Sequence, residues 1–535
     1  MKLKIRINNV RLSLLREESL EEAVCRKLRL GADNIGKIRV LHRAVDARKK
    51  NAVCINYHVL TVVDVTSAKS RKLLTERDIA KYEEPVRQSV VCGSLPLDTP
   101  PIVIGAGPAG LMAALQLAEY GYKPLLLERG KAISDRVKDV QHFWQSGEFN
   151  PDSNVQFGEG GAGTFSDGKL TTRVNDPVMN EILQIFVSAG APESILWEHK
   201  PHVGTDKLRA MVIGLGKRIR ALGGTIRYEA KVQALRFSHN CVSGVELAGG
   251  EYIPSGAVVL AIGHSARDTY TMLDSKGVAM IAKPFAIGLR IEHPQELIDK
   301  AQYGMFAGHR LLGPADYALV YHAPQNGRTA YSFCMCPGGQ VVAAASEKCG
   351  VVVNGMSLFA RDSGIANSAL VVNVMPEDFG NGPLAGIEFQ RRYERLAFNL
   401  GGKNYYAPAQ NLKSFLSFSE PSLVAFGSTY RPGLTPCDLE KVLPSYVTAT
   451  LRGGIIDFAR KLSGFDDGGA LLTGVETRTS APVRILRDKN SYVSLSHDLL
   501  YPCGEGAGYA GGIMSAALDG YHVARAIMAR FKPLV

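Results

Sequence analysis

The order of apolar and polar positions predicts a strand–helix–strand unit near residue 100. An apolar, β-branched run at residues 102–104 leads into a helical pattern with apolar positions every three or four residues, and a second apolar run, Pro124–Leu127, follows. Between the first run and the helix lies a turn that contains Gly105, Gly107 and Gly110. The pattern therefore predicts a buried strand, a tight turn, a helix and a second buried strand.

The first hundred residues show alternating runs, which predict strands on both sides of a short helix. Ser19 and Glu22 have the spacing of a capping box that starts this helix, and Gly31 is its expected C-cap. The expected elements are strands at Lys2–Leu14, Ile35–Ala47 and Ala52–Val63, a helix at Leu20–Leu30 and a short helix near Thr75–Glu84. This order predicts a small ferredoxin-like α+β module.

Later stretches predict further buried strands and amphipathic helices. The expected elements are a helix at Asp206–Leu222, strands at Thr225–Val232 and Ala257–His264, strand-like runs at Val341–Ala345, Val351–Val353 and Ala369–Val374, and helices at Gly386–Phe398, Leu439–Leu462 and Ser515–Phe531. A chain of 535 residues has room for two to four domains. The pattern as a whole predicts an α/β protein with additional α+β regions.

Composition narrows the class of protein. Hydrophobic residues make up 46% of the chain, which is ordinary for a globular protein with a buried core. No apolar run reaches the ~18 residues of a membrane-spanning helix, and the N-terminus lacks the apolar region of a signal peptide. The nine cysteines show no CxxC or zinc-site spacing. We therefore expect reduced thiols, no bound metal, no membrane contact and a cytoplasmic location.

The positive charge is concentrated at the N-terminal end. The chain has a net charge of +11, and residues 1–97 account for +9 of it. This asymmetry predicts a domain boundary near residue 97, with Pro85–Pro100 as the linker. A basic α+β module can bind RNA, but no pair of stacking aromatic residues is evident in the sequence. A solvated basic face, or a face that docks onto the rest of the chain, is the interpretation that the sequence favours.

The glycine turn at residues 105–110 has the chemistry of a dinucleotide site. Gly105 permits the sharp turn, Gly107 lets the backbone approach a pyrophosphate, and Gly110 lets the helix pack closely on the strand. The helix start would present free N–H groups and its positive dipole end to the phosphates. Glu128 ends the next strand eighteen residues beyond Gly110, where a carboxylate can bind ribose hydroxyls. Together these features predict an adenine dinucleotide site.

Two more glycine-rich stretches extend this prediction. Residues 155–170 contain five glycines among small residues, which indicates backbone close to a flat or phosphorylated ligand. Near the C-terminus, a strand is followed by Gly504-Glu505, and Gly511-Gly512 precede a helix. The third predicted core strand ends at Gly263, at the carboxyl edge of a sheet where ligands bind.

These motifs resemble those of the glutathione-reductase-like FAD flavoproteins. More narrowly, the stretch 158–170, the basic N-terminal module, Lys283–Gly288 and Cys334–Gly339 resemble a bacterial family of FAD-dependent dehydrogenases, over nearly the whole chain. The resemblance implies non-covalent FAD and an α/β fold with a Rossmann-like FAD-binding domain, an inserted α+β substrate domain and the ferredoxin-like module. The corresponding domain ranges are 1–97 for the module, 98–275 and 491–535 for the FAD-binding domain, and 276–490 for the inserted domain.

The resemblance also implies which residues hold FAD. Glu128 would bind the adenosine ribose, the Val232 backbone would meet the adenine, and Glu505 would face the ribityl chain or the phosphates. The flavoprotein pattern usually has Gly-Asp where this chain has Gly504-Glu505. The expected cofactor-binding residues are Gly105, Gly107, Pro108, Ala109, Gly110, Glu128, Arg129, Gly160, Gly161, Ala162, Gly163, Thr164, Ser166, Val232, Ala261, Gly263, Gly504, Glu505, Gly511, Gly512 and Ile513.

The sequence assigns no catalytic residue. Lys169 and His264 lie beside the expected flavin loops and could act as acid, base or oxyanion partner. Cys334 and Cys336 precede a turn and could form a strained disulfide, but two reduced cysteines are expected. Three polar residues of one predicted strand are expected to be paired interface residues; these are Arg290, Glu292 and His293.

The function that the sequence favours is an FAD-dependent oxidoreductase. FAD would pass a hydride or two electrons between an unidentified small molecule and a donor or acceptor, with NAD(P)H among the candidates. One alternative is an FAD-dependent RNA-modifying enzyme that holds RNA with the basic module, which salt-dependent RNA binding would indicate. Another is a non-enzymatic flavin-binding redox sensor, which stoichiometric reduction without turnover would indicate.

Overall fold

The computed structural model describes residues 2–84, 90–423 and 427–534. The chain forms two compact units. The first unit consists of Met1–Ser89, Pro192–Pro201 and Glu296–Ala315, and the second consists of Val90–Ala191, His202–Gln295 and Asp316–Val535. Two later segments therefore join the N-terminal region in its unit. The domain ranges inferred from the sequence remain predictions.

An antiparallel four-stranded sheet forms the core of the first unit. Its elements are β1 (Lys2–Ser13), α1 (Leu20–Leu28), β2 (Arg39–Asp46), β3 (Cys54–Asp64), α2 (Ser67–Leu74) and β4 (Ile79–Lys81). The strand order is β2-β3-β1-β4, and each pair of neighbours is antiparallel. One face packs against the helices through residues such as Ile5, Val59 and Val24. This is the predicted ferredoxin-like arrangement.

The first helix begins as predicted and ends earlier. The Ser19 side chain accepts the Glu22 backbone N–H at 3.1 Å, and the Glu22 carboxylate accepts the Ser19 backbone N–H at 2.7 Å. The predicted capping box is therefore confirmed. Arg29, with a left-handed φ of 52°, ends the helix, so the prediction of Gly31 as the C-cap is wrong.

The second helix of this unit lies before the predicted range. The prediction of a helix near 75–84 is wrong, because α2 ends at Leu74 and the chain then forms β4. Thr66 starts α2, since its side-chain oxygen accepts the Lys69 backbone N–H. Ile79 pairs with Ile7 of β1. Sheet pairing and burial of Ile79 therefore outweigh the helical pattern of the flanking charged residues.

Strands and helices alternate from residue 102 to residue 275. The elements are β5 (Ile102–Ile104), α3 (Pro108–Glu119), β6 (Leu125–Leu127), α4 (Ile133–Ser146), α5 (Met179–Ser188), α6 (Thr205–Ala221), β7 (Thr225–Arg227), β8 (Val232–Ser238), β9 (Cys241–Leu247), β10 (Tyr252–Pro254), β11 (Val258–Leu260) and α7 (Arg267–Ser275). The prediction of one strand at Thr225–Val232 is wrong, because Glu229 takes a left-handed φ of 53° and Val232 begins β8. Strands β8, β9 and β10 form a separate antiparallel sheet.

The remaining elements include the strands of a larger sheet. They are β12 (Met280–Ala282), β13 (Phe285–Pro294), α8 (Gln295–Tyr303), β14 (Val320–His322), β15 (Thr329–Cys336), β16 (Gln340–Ala343), β17 (Val353–Met356), β18 (Ile365–Val374), α9 (Pro376–Phe379), α10 (Ala385–Leu400), β19 (Ala407–Asn411), α11 (Leu412–Ser417), β20 (Leu434–Pro436), α12 (Ser445–Lys461), β21 (Leu471–Glu476), β22 (Val483–Ile485), β23 (Leu500–Pro502) and α13 (Ile513–Arg530). Seven strands form one sheet in the order β14-β15-β18-β13-β21-β19-β20. The predicted helix at 439–462 begins only at Ser445, because Pro444 disfavours helical geometry in the residue before it.

A five-stranded parallel sheet brings the distant glycine motifs together. Its order is β23-β11-β5-β6-β7, and each pair of neighbours is parallel. The carboxyl ends of parallel strands lie at one edge of the sheet, which is where such folds bind ligands. Gly105, Glu128, Gly263 and Gly504 all follow these strand ends. The predicted α/β fold class with a Rossmann-like part is confirmed.

The C-terminal helix α13 packs closely within the second unit. A Cβ on Gly520 would lie 2.1 Å from the carbonyl oxygen of Ala109, so this glycine permits close approach to α3. Residues 90–97 also lie against this end of the chain, since the Gly93 N–H donates to the Met528 carbonyl at 2.8 Å. Residues 85–89 of the predicted linker lie outside the described residues. Within the part of the chain that the structure describes, no helix has the length and apolar character that a membrane crossing requires.

Candidate functional site

A large cavity lies at the carboxyl edge of the parallel sheet. It contains about 1540 Å³ of empty space, counted with its open mouth. One side is formed by the glycine turn after β5, the ends of β6 and β11 and the start of α13. The other side is formed by the ends of β15 and β21 from the seven-stranded sheet and by β17, which pairs with β16 in a separate two-stranded sheet. Concave sites lined by several loops are where proteins bind small molecules and cofactors, so this cavity is the candidate ligand site.

All but four of the predicted cofactor-binding residues line this cavity. They are Gly105, Gly107, Pro108, Ala109, Glu128, Arg129, Gly161, Ala162, Gly163, Ser166, Val232, Ala261, Gly263, Glu505, Gly511, Gly512 and Ile513. Gly110, Gly160, Thr164 and Gly504 lie behind the cavity wall. A Cβ on Gly110 would lie 1.9 Å from the Gly105 carbonyl oxygen, and the Thr164 hydroxyl donates to the Glu159 carbonyl. These four residues shape the backbone of the loops that face the cavity.

Positions 105 and 107 of the first turn are occupied by glycine for different structural reasons. Gly105 has a φ of 103°, and a Cβ there would lie 2.3 Å from the Ala261 carbonyl oxygen, so the protein itself requires glycine. Gly107 has an ordinary φ of −77°, and the nearest atom to a Cβ would be 3.9 Å away. Protein packing therefore does not require glycine at position 107. The open space beside Gly107 belongs to the cavity and fits close approach of a bound pyrophosphate.

Two helix starts face the cavity. Helix α3 begins after Gly107 and α13 begins after Gly512, and neither N-cap residue supplies a side-chain hydrogen bond. Pro108 and Ile513, the first residues of the two helices, both line the cavity. Free N–H groups and the positive dipole ends therefore converge on one space. With the glycine cradle, this arrangement fits a ligand that carries phosphate groups.

Glu128 connects three loops at the cavity wall. One carboxylate oxygen accepts the Ala106 N–H at 2.8 Å, and the other accepts the N–H groups of Gly130 and Gly158, each at 2.9 Å. The residue is buried and also lines the cavity. A carboxylate has about four acceptor sites, so capacity remains for a ribose hydroxyl. Glu128 therefore both fixes the loops and offers the contact that its position in the sequence predicts.

Arg136 supports the same loops and was not identified from the sequence. It is fully buried on α4, and its guanidinium donates to four carbonyl oxygens of the segment 154–159 at 2.7–3.3 Å. Burial is the main cause that lowers the pKa of Arg136, to about 10, and nearby Glu128 opposes this shift. The side chain therefore fixes the segment whose Gly158 N–H binds Glu128. A charged residue in a polar helix gave no signal of this role.

A hydrogen-bonded chain orients His264 at the cavity. The Arg478 guanidinium donates to the Ser265 hydroxyl oxygen at 2.7 Å, and that oxygen lies 2.8 Å from Nδ1 of His264. Because arginine only donates, the serine oxygen accepts from Arg478, and its contact with Nδ1 fixes the orientation of the imidazole ring. Burial, followed by the charges of Arg478 and Arg267, lowers the pKa of His264 to about 3. The ring is therefore neutral at physiological pH.

Buried ion pairs hold Arg478 in place. Arg478 and Arg267 each pair with the Glu394 carboxylate at 2.8 Å, and Arg267 also pairs with Glu347 at 2.5 Å. The two guanidinium groups outweigh burial and hold the pKa of Glu394 well below its usual value. Such a network fixes the direction of its members more than it stabilises the fold. Arg478 is thus a rigid donor that faces both Ser265 and the cavity.

Lys169 connects the glycine-rich loop to the seven-stranded sheet. Its ammonium group donates to the Met335 carbonyl oxygen at the end of β15, and both residues line the cavity. Nearby Asp167 pairs with Arg361 at 2.6 Å. Lys169 therefore brings a positive charge to the junction between the nucleotide-binding loops and the larger sheet.

The two cysteines at the end of β15 are free thiols with different surroundings. Cys334 is exposed and faces the cavity, whereas Cys336 is buried, and burial raises the pKa of its thiol. Arg290 donates to the Cys334 carbonyl at 2.6 Å and pairs with buried Glu476 at 3.1 Å. Each residue of the group on β13 has a partner, since Glu292 accepts from Thr429 at 2.6 Å and His293 Nε2 lies 2.9 Å from the Phe465 carbonyl.

The carboxyl group of Glu505 has a raised pKa. Burial raises its pKa to about 7, and the charge of Lys283 opposes this shift. The residue lines the cavity directly after Gly504, where a left-handed φ of 74° turns the chain. The carboxyl group is therefore partly protonated near neutral pH. It can donate a hydrogen bond as well as accept one.

Strand β17 and the ends of β15 and β21 supply cavity residues that the sequence did not identify. They are Phe333, Met335, Asn354, Gly355, Glu476, Arg478 and Thr479. These residues follow no local motif, and their position depends on which strand ends meet at the cavity. Only the resemblance at Cys334–Gly339 drew attention to one of these segments.

Comparisons with known proteins agree with this geometry. The family model described as "FAD-dependent protein, C-terminal domain-like" matches residues 284–479, which contain all seven strands of the seven-stranded sheet. The model of an NAD(P)-binding Rossmann-like domain matches residues 103–165, which include the glycine turn. A domain of unknown function matches residues 4–61 of the first unit.

A relative from Clostridium beijerinckii, described as "Uncharacterized protein", is 47% identical over 533 residues, which cover 98% of this chain and 99% of that protein. The chain belongs to an FAD-dependent protein family. The cofactor is FAD, and the predicted family resemblance is confirmed. Its domains are those of an FAD-dependent protein with a Rossmann-like nucleotide-binding part.

Two solved structures align with most of this chain at low identity and low TM-score. Fructosyl amine:oxygen oxidoreductase (Amadoriase I) from Aspergillus fumigatus is 13% identical, with 82% of this chain and 88% of that chain covered and a TM-score of 0.35. CtdE in complex with FAD is 12% identical, with 80% and 87% covered and a TM-score of 0.30. At these values nothing about substrate or reaction follows from the likeness.

Proposed function

We propose that this protein is an FAD-dependent dehydrogenase that oxidises or reduces a small molecule bound between the nucleotide-binding loops and the seven-stranded sheet. One observation carries the proposal. A single cavity is lined on one side by Gly107, Glu128 and Gly512 and on the other by the ends of β15, β17 and β21. The first side fits FAD, and the second side offers a surface for another molecule. When bound, FAD supplies the transfer of a hydride or two electrons.

The residues of the chain divide into groups with different tasks. Gly107 and the two helix starts would hold the pyrophosphate, and Glu128 would hold the adenosine ribose. On the opposite side, Phe333 and Met335 provide apolar surface that excludes water from the reacting atoms. The chain therefore provides binding, orientation and exclusion of solvent within one cavity.

His264 and Lys169 are the groups that we assign to the substrate or reacting atoms. His264 is neutral and oriented by Ser265, and a neutral imidazole carries one N–H donor. Lys169 brings a positive charge to the Met335 end of β15. A donor and a cation in one cavity suit a substrate with an oxygen that becomes more negative during the reaction.

We further propose that the electron donor or acceptor is a diffusing molecule, with NADH and NADPH as the first candidates. A cytoplasmic location is part of the same proposal, because the nine cysteines are all free thiols. Two of them, Cys334 and Cys336, lie at the cavity, where an oxidising compartment would expose them to disulfide formation.

Anaerobic reduction of the bound flavin tests the proposal. The holoprotein is mixed with NADH, NADPH and a panel of organic donors that includes amines, alcohols and hydroxy acids, and the flavin absorbance is followed. We expect one donor class to reduce the flavin rapidly and to support repeated turnover with an artificial acceptor. Reduction of one equivalent without turnover for every donor would instead assign a redox sensor.

A further inference from the structure

The four-stranded sheet of the first unit has one covered face and one open face. On β1 and β3, the residues that point toward the helices are buried, and those between them are exposed or half-buried except for Leu60, which is buried. Cross-strand pairs on the open face are Arg6 with Leu60, Arg11 with Asn56, and His42 with His58. The neighbouring strands β2, β3 and β1 therefore display polar and basic side chains side by side.

Four cations lie on this open face. They are Lys4, Arg6 and Arg11 of β1 and Arg39 of β2, and all four are exposed. Lys4 pairs with Glu84, but both side chains are solvated, so the pair is weak and exchangeable. The nearby Asp46 carboxylate is paired with Arg48. The open face therefore presents more positive than negative charge, in keeping with the +9 of residues 1–97.

Flat rings lie among these cations. The rings of His42 and His58 have centroids 4.9 Å apart, and His199 packs edge-on against His42 at 5.2 Å. Lys4 and Arg39 lie 5.1 Å and 6.0 Å from the Tyr82 ring. Burial and then neighbouring positive charges lower the pKa values of His42 and His58, so these rings are neutral at physiological pH. Neutral rings offer stacking surfaces that a charged ring would offer less well.

We propose that this open sheet face binds single-stranded nucleic acid. Exposed arginines neutralise backbone phosphates, and planar rings and guanidinium groups stack with unpaired bases. An open sheet face with these groups on neighbouring strands suits splayed single strands, whereas a duplex keeps its bases stacked inside. The proposal concerns the first unit alone and goes beyond the proposed oxidoreductase activity.

Fluorescence anisotropy with the full-length holoprotein tests whether the exposed cations of the open face bind nucleic-acid phosphates. The probes are labelled twelve-nucleotide RNA and DNA of one mixed sequence, measured at several salt concentrations between 50 and 200 mM. We expect binding that weakens with salt, with a log–log slope of roughly −0.7 for each phosphate neutralised. Arg6→Gln with Arg11→Gln should reduce the slope by roughly 1.4 and weaken binding at 50 mM about tenfold. The RNA and DNA arms show which strand is bound more tightly.

Arg71→Gln is the matched control, since Arg71 is an exposed arginine on α2, on the covered side of the sheet. It should leave the affinity and slope unchanged. Melting temperature and FAD content verify that each variant is folded. An Arg71 variant that weakens binding as much as the Arg6/Arg11 variant would overturn the proposal, because only total charge would then matter. So would the absence of binding at 50 mM, or binding of anionic lipid vesicles but of neither oligonucleotide.

Substitution of His58 tests the stacking part. His58→Ala should weaken binding roughly fivefold or more at every salt concentration, without a change in slope, because no phosphate contact is lost. His58→Phe should retain the affinity, since it keeps a flat ring at the same position on β3. Equal loss in the Ala and Phe variants would overturn stacking as the mode of binding.

Discussion

The Arg136 guanidinium donates to the Glu159 carbonyl oxygen at 2.7 Å, although a carboxylate is part of the same residue. The Glu159 carboxylate is engaged elsewhere, since it accepts the Ile133 N–H at 2.8 Å and the Tyr228 hydroxyl. The buried positive charge of Arg136 is thus stabilised by hydrogen bonds to main-chain carbonyls and by the negative charges of Glu128 and Glu159. One side chain therefore balances two buried acids and fixes the loop between them.

Arg136→Met should destabilise the protein by roughly 3–5 kcal/mol, because it leaves two buried carboxylates uncompensated and several carbonyls without donors. Urea unfolding measures the loss. Arg136→Lys keeps the charge and should cost less. Lys138→Met is the control on the same helix, where the exposed pair with Asp135 contributes little. A loss below 1 kcal/mol for Arg136→Met, with normal FAD content, would contradict this role.

The cofactor side of the site could be predicted from the sequence because its signals are local. Gly105 is required by the φ of 103° in its own turn, Gly110 is required by its close contact with Gly105, and Glu128 follows the adjacent strand. Parallel pairing then places Gly263 and Glu505 at the same edge without further information. Residues that directly follow the parallel strands of one sheet lie at the same sheet edge, independently of how the rest of the chain folds.

The opposite side of the site could not be predicted in this way. Arg478 reaches the cavity because β21 pairs with β13, a pairing between segments almost two hundred residues apart. Ser265 has no distinguishing feature in the sequence, and its role follows from the tertiary contact with Arg478. The role of Arg136 likewise depends on tertiary contacts, because its guanidinium donates to carbonyl oxygens of a segment outside its own helix. Such roles arise from tertiary packing, which hydrophobic periodicity does not specify.

Gly107→Ala should separate folding from cofactor binding. A Cβ at position 107 has 3.9 Å to its nearest protein neighbour, so the protein stripped of FAD should keep its stability within ~0.5 kcal/mol. The same Cβ would occupy the space where the backbone approaches the pyrophosphate, so FAD affinity should fall at least tenfold. Fluorescence titration of FAD measures this loss. Gly249→Ala, in an open turn, is the control, and equal FAD affinity in both variants would show that the pyrophosphate lies elsewhere.

Glu505 should make the stability of the FAD-free protein depend on pH. Its folded-state pKa of about 7 lies above the ordinary value of 4.5, so between these values the folded protein keeps a proton that the unfolded chain has released. Stability should therefore fall as pH rises from 4.5 to 7 and level off above, by at most about 1.4 kcal/mol per pH unit from this group. Glu505→Gln should flatten this part of the curve in urea unfolding at pH 5 and pH 8. An unchanged difference between the two pH values would contradict the assignment.

Substitutions in the hydrogen-bonded series Arg478–Ser265–His264 should slow flavin reduction more than they weaken FAD binding. Ser265→Ala removes the hydroxyl that orients the His264 ring, so we expect flavin reduction by the best donor to slow about tenfold, with FAD affinity kept within threefold. His264→Gln should slow it by roughly 10²–10⁴ if the ring donates in the transition state. Because the pKa of His264 is about 3, the wild-type rate should show no inflection from this ring between pH 5 and 8.

Ser275→Ala provides the matched control for this last experiment, since Ser275 lies at the exposed end of α7 and its hydroxyl only donates to the Met272 carbonyl. Stopped-flow reduction at saturating donor separates a change in rate from a change in donor affinity. If Ser265→Ala weakened FAD binding and left the reduction rate of the remaining holoprotein unchanged, the chain would belong to cofactor binding. His264 would then contact FAD rather than the reacting substrate, because loss of its orientation would affect the bound state and not the step of electron transfer.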